Sequence, residues 1–163
     1  MKKKDFFFQP SNYRLQTTEG FTFIELMLVI VILGILAALI SGNFITSLKK
    51  GRDARRKGDL EQTQRALELY YEDNRAYPST ITFDDSLCQS SPCGSSKIYM
   101  QKLPVDPSGY DYEYESDGTY YRMYSCLENN LDQGSGVDQN GYGGTTCGAC
   151  SGCKYKVTSS NVQ

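Results

Sequence analysis

Histidine is missing from this 163-residue chain. Its absence removes the side chain most used as a general base, as the activating partner of a nucleophile and as a metal ligand. Asp, Glu, Lys, Tyr and Cys remain, but the expectation is a non-enzymatic protein. Cysteine is missing as far as Leu87, and all six (Cys88, Cys93, Cys126, Cys147, Cys150 and Cys153) come after it. No Lys or Arg stands between Gly20 and Leu48. Cations are also scarce over residues 76–163, where Lys97, Lys102, Arg122, Lys154 and Lys156 face ten Asp and Glu, a net of −5. A body of that charge repels phosphate, so no broad nucleic-acid surface is expected on it. The whole chain is nearly balanced, with 17 basic and 19 acidic residues.

What is present begins with an apolar run. Residues 21–40 read Phe-Thr-Phe-Ile-Glu-Leu-Met-Leu-Val-Ile-Val-Ile-Leu-Gly-Ile-Leu-Ala-Ala-Leu-Ile. As a helix, such a stretch covers about 30 Å, the thickness of a bilayer core. It is longer than a typical secretory signal core. Glu25 is the one charge inside it, and an unpaired carboxylate at that depth costs about 2.5–3.5 kcal/mol on insertion scales. Glu25 either reaches the headgroups or takes a cation from elsewhere, and a newly made α-amino group at Phe21 would be one. The even number of cysteines in a Gly/Ser-rich half suits disulfides in an oxidising compartment, which requires export.

Gly20-Phe21-Thr22-Phe23-Ile24-Glu25-Leu26, followed by the apolar run to Ile40, resembles the cleavage and methylation motif of type IV prepilins. The resemblance implies a precursor cut between Gly20 and Phe21 by a membrane peptidase that then methylates the Phe21 nitrogen. It implies that Glu25 pairs with the Phe21 ammonium of a neighbouring subunit, a registry device because each partner is costly alone in an apolar bundle. It implies a homo-oligomeric helical filament, subunits stored in membrane lipid with the C-terminus outside, an assembly platform driven by a cytoplasmic ATPase, and minor pilins as further partners. Three positions depart from the pattern: Glu19 is acidic, the leader Met1–Gly20 is long with Phe6, Phe7 and Phe8, and Gly42 stands where a proline is common. Lys49, Lys50, Arg52, Arg55, Arg56 and Lys57 follow the span, so the positive-inside rule alone would put the C-terminal half in the cytoplasm. The motif and the cysteines argue for the opposite orientation.

Ala54, Leu60, Leu67 and Tyr70 or Tyr71 recur at helical spacing, and Asp73-Asn74 with Pro78 stops the pattern. One helix over about 22–73 is predicted, with interruptions expected near Gly42, Gly51 and Gly58. The basic run at 49–57 reads as a solvated face near lipid headgroups. Residues 75–109 read as a connecting loop. Within it, Arg75-Ala76-Tyr77-Pro78-Ser79 and Leu103-Pro104-Val105-Asp106-Pro107 resemble the brackets of the variable loop in type II secretion major pseudopilins. Tyr110, Tyr112 and Tyr114 alternate with Asp111, Glu113 and Glu115 as in a half-buried strand. Ser116-Asp117-Gly118 is a hairpin turn, Thr119–Leu127 its partner strand, and Lys154–Thr158 a third. The tyrosines are expected in core and cross-strand packing.

Two metal readings arise. Asp132 and Asp138, in a Gly-rich loop resembling the calcium loop of major pseudopilins, are candidate ligands for a structural calcium, though no EF-hand pattern is present. Cys147, Cys150 and Cys153 with Cys126 have zinc-like spacing, but disulfides are the simpler reading outside the cell. Cys88 and Cys93 are expected to pair locally, and Cys126 with one of the last three. Such staples would replace calcium in fixing the loop.

The fold expected is α+β: a long N-terminal helix packed on a small antiparallel sheet, with a disulfide-rich C-terminal loop. The divisions are a leader over 1–20, a membrane or filament-core helix over 21–40, its amphipathic continuation over 41–74, the loop over 75–109, and a sheet with a Cys-rich end over 110–163. The function expected is a structural subunit of a type IV pilus or type II secretion pseudopilus. The alternative is an uncleaved single-pass protein with a cytosolic zinc-binding regulatory domain.

Overall fold

The computed structural model describes residues 20–90 and 92–161, with backbone alone at 41–43. The leader expected over Met1–Gly20 lies outside the described residues except for Gly20. The chain divides into two compact units, one ending at Ser41 and one beginning at Gly42. Helix α1, Phe23–Asn74, contributes to both.

In the first unit α1 is apolar on every side. Residues Phe23–Ile40 have a mean hydropathy of 3.0, and none is covered by the rest of the chain. A helix apolar all round belongs in lipid or in an apolar bundle. It is long and apolar enough to cross a membrane. The expected interruptions are absent: the backbone stays helical through Gly42, Gly51 and Gly58. An isolated glycine costs a helix about 1 kcal/mol, which fifty residues of otherwise sound helix absorb.

In the second unit α1 becomes one-sided. The fully or nearly fully buried positions are Asp53, Arg56, Leu60, Thr63 and Leu67, spaced three and four apart, with Ala66 beside them. Ala54, expected on this stripe, is exposed. The stripe's first two members are charged residues, and the charges are compensated as described below. The helix ends where the Asn74 side-chain amide donates to the Tyr70 carbonyl at 2.9 Å. Arg75 then takes a left-handed φ of 58° and its N–H closes on the Tyr71 carbonyl.

The stripe packs on a three-stranded antiparallel sheet in the order β3-β4-β5: Glu113–Ser116, Tyr121–Ser125 and Tyr155–Thr158. Leu60 and Leu67 share the core with Tyr77, Leu103, Tyr112, Tyr121, Met123 and Val157. Tyrosine supplies much of this core: Tyr77 packs edge-on against Tyr121 at 4.7 Å between ring centroids and stacks on Tyr71 at 4.6 Å. The hydroxyls of Tyr77 and Tyr121 both donate to Glu68.

β3 is shorter than the Tyr110–Glu115 alternation predicts. Tyr112 is buried but precedes the ladder, and its hydroxyl donates to Asp59 on α1 at 2.9 Å. β4 is likewise shorter than Thr119–Leu127, since Cys126 leaves the sheet for a disulfide. The loop over 75–109 contains a two-stranded ribbon the sequence did not announce, β1 (Leu87–Cys88) with β2 (Ile98–Met100). Its brackets are pinned as well: the Tyr77 N–H donates to the Gly118 carbonyl at the hairpin turn, and Leu103 exchanges backbone bonds with Asp84 and Asp85.

Candidate functional site: the helix start and the three-cation spine

The expected assembly residues sit at the start of α1. Phe21 is exposed, and Gly20 has free space around it. Thr22 is the N-cap. Its N–H and its hydroxyl donate to Glu25 Oε2 at 2.8 and 2.7 Å, and the Glu25 N–H returns a bond to Thr22 Oγ1 at 3.3 Å. This is a capping box, in which two otherwise orphaned helix donors are satisfied reciprocally. Glu25 therefore already has partners in its own first turn.

The second cluster lies where α1 meets the C-terminal body. Arg56 is fully buried. Its Nε and Nη2 grip the Asp106 carboxylate at 2.5 and 3.1 Å. Its Nη1 donates to Asp53 at 2.7 Å, and its Nη2 also reaches Glu128 at 2.9 Å. Burial works against the Arg56 charge, but the bonds to Asp106 and Glu128 overcome it, and the proton is held more tightly than usual. Asp53 in turn accepts the backbone N–H groups of Glu128 and Asn129. Arg52 forms a bidentate pair with Glu128. Lys57 donates to Asp132 at 2.7 Å. The Arg52 guanidinium leads in holding the Glu128 carboxyl down to about 2, with Arg56 and Ser108 adding to it against the effect of burial. Lys57 lowers Asp132 in the same way.

Three cations within six residues of one helix thus fix three stations of the chain that follows: Asp106 in the Leu-Pro-x-Asp-Pro bracket, Glu128 after β4, and Asp132 in the Gly-rich loop. Three of the six cations in the basic run are spent inward, so the solvated face expected there is reduced to Lys49, Lys50 and Arg55. The missed signal was the spacing of Asp53, Arg56 and Leu60, which puts a charged pair on the buried stripe.

The cysteines complete the body. Cys88 is bonded to Cys93, Cys126 to Cys150, and Cys147 to Cys153. Cys126, Cys147, Cys150 and Cys153, whose spacing also resembles a zinc site, take the disulfides favoured from the sequence. Gly148 is needed in this knot: its φ is +62°, and a Cβ there would run into Asp111. Asp132 and Asp138, the proposed calcium ligands, lie in one loop, but each carboxylate has its own N–H donors.

Residues 17–41 match the model of the prokaryotic N-terminal methylation motif, and residues 43–140 match that of type II secretion system protein G. The chain belongs to the type II secretion system protein G family. It is a pseudopilin, a structural subunit. Type II secretion system core protein G of Pseudomonas aeruginosa is 38% identical over 73% of this chain and 89% of its own length. The proteins of that name from Aeromonas hydrophila and Escherichia coli are 32% and 34% identical, each over 74% of this chain, covering 88% and 87% of their own lengths. No solved structure gives a significant match. For this pseudopilin the family match disfavours the alternative of an uncleaved regulatory zinc protein.

Proposed function

We propose that this pseudopilin is made as a precursor, cut between Gly20 and Phe21, methylated on the Phe21 nitrogen, and assembled into a periplasmic homo-oligomeric filament. The observation that carries the reading is the methylation motif at residues 17–41 laid over a helix apolar on every side. Such a helix has no water-facing side, so it stays in membrane lipid until a filament core of equal apolarity receives it. The exposed Gly20–Phe21 junction is open to a membrane peptidase and methylase. Glu25 and the new Phe21 ammonium of a neighbour then set the axial offset between subunits. The remaining partners are an assembly platform with its cytoplasmic ATPase and minor pilins. Three disulfides agree with a body on the oxidising side of the membrane.

The test is intact mass and N-terminal sequencing of the protein from assembled filaments. The expected product begins at methylated Phe21, and Gly20→Ala leaves the leader attached and yields no filaments. A full-length chain in filaments, or normal filaments from Gly20→Ala, refutes the reading.

A further inference from the structure

An Asp- and Gly-rich loop such as Glu128–Gly141 is a usual setting for calcium, an ion that takes six to eight oxygen ligands. Here both Asp132 carboxylate oxygens, one of Asp138 and five of the loop's carbonyls are engaged by nitrogen donors. Asp132 Oδ2 accepts from Lys57 Nζ at 2.7 Å and Asp132 Oδ1 from the Gly134 N–H at 3.0 Å. The carbonyls of Asn129 and Asp132 accept from Gln139 Nε2 at 3.2 and 2.6 Å. Asp138 Oδ1 accepts from the Asn140 N–H at 2.9 Å, and the Asp138 carbonyl from the Gly141 N–H at 3.1 Å. The carbonyls of Gly134 and Gly136 accept from Val137 and Lys156. Gln139 Oε1 is the one side-chain oxygen of the loop buried without a donor among the described residues. Among the described residues no group of three or more acidic or cysteine side chains stands close enough to hold a metal. The residues present do not fit calcium.

We propose that Lys57 is the loop's built-in cation and that this body folds and holds its C-terminal loop without a divalent ion. The ammonium comes from α1, so it ties the loop to the helix and neutralises Asp132 in one contact. Both side chains are largely shielded, at 24% and 18% exposure. The site is shaped for the ammonium: it stands 5.4 Å from the Tyr155 ring centroid, and a Cβ at Gly134 would come within 3.1 Å of Lys57 Nζ. A calcium ion at Asp132 would face this positive charge at contact distance. The Cys126–Cys150 disulfide spans the same segment, and Cys147–Cys153 closes the chain just after it.

The test uses the full-length chain in detergent with its disulfides intact. Thermal unfolding is compared in excess EDTA and in millimolar calcium, and terbium(III) is titrated as a probe, with tyrosine-sensitised emission as the signal. The expected midpoint is the same in both solutions, with no saturable terbium emission that calcium displaces. A midpoint several degrees higher in calcium, or displaceable saturable emission, overturns the proposal. Lys57→Met is expected to lower the midpoint by several degrees in EDTA. An unchanged midpoint there shows that the ammonium does not hold the loop, and the proposal falls. If Lys57→Met does not fold, the two measurements on the unaltered chain still decide. None of these readouts depends on filament assembly, so they stand or fall apart from the function proposed above.

Discussion

Arg56 is fully buried where α1 meets the C-terminal body, and it is held there by three carboxylates. Taken out of water alone, a guanidinium is strongly unfavourable, whereas one that meets Asp53, Asp106 and Glu128 at hydrogen-bond distance is compensated. The compensation makes stability depend on pH. Glu128 is held at about 2 in the folded chain against its ordinary 4.5, and Asp132 is lowered as well. The unfolded chain takes up protons first, so the contribution of Glu128 is complete above pH 4.5 and lost as pH falls towards 2. Urea unfolding across pH is expected to show stability falling through that window, and Glu128→Gln is expected to flatten part of the fall. An acid limb identical in the variant would place the dependence elsewhere. At this scale the sequence was read incompletely. Glu25, Phe21 and the cysteines stand out by type and place, but the roles of Arg52, Arg56 and Lys57 depend on acids 50 to 76 positions away in the chain. From sequence alone these cations could be counted only as surface charge.

Among the elements, long periodic ones were legible and short ones were not. The helix predicted over about 22–73 is Phe23–Asn74, because its apolar run is long enough to span a bilayer, its amphipathic stretch carries a helical period and Asn74 caps it. The hairpin of β3 and β4 was marked by alternation and by Asp117-Gly118, where Gly118 has a φ of +89°. The ribbon of β1 and β2 has two and three residues, too few for any period, and the Cys88–Cys93 link closes its turn region. The disulfides differ in weight. Cys126 and Cys150 are 24 apart in sequence, and Cys88 and Cys93 only 5. In the chain-entropy account the first constrains the unfolded chain by about 3.5 kcal/mol and the second by about 2 kcal/mol. Replacing Cys126 and Cys150 together by Ser is therefore expected to cost more stability than replacing Cys88 and Cys93, as read by chemical unfolding. The reverse order would mean that native-state contacts at the ribbon outweigh loop closure.

For the whole molecule the two units carry separate tasks, one apolar on all sides and one a folded body, joined by residues of a single helix. Glu25 belongs to the first task. Its capping box gives it donors within its own chain, so a subunit in the membrane holds no stranded carboxylate. Glu25→Leu is expected to leave the chain in the membrane fraction while filament yield falls. Glu25→Gln, which keeps an acceptor for the cap but no charge, is expected to fall with it; full yield from Glu25→Gln would credit the cap and not the charge. The body's task rests on the spine of Arg52, Arg56 and Lys57, whose three fixed posts at Asp106, Glu128 and Asp132 divide the following chain into spans. A span between posts can change length without moving the posts, and the tip of the ribbon around Gly94 and Ser95 lies outside them altogether and is exposed. Insertions, epitopes and reporter groups belong at that tip, where the chain can be edited at the bench while the framework beneath it keeps its register.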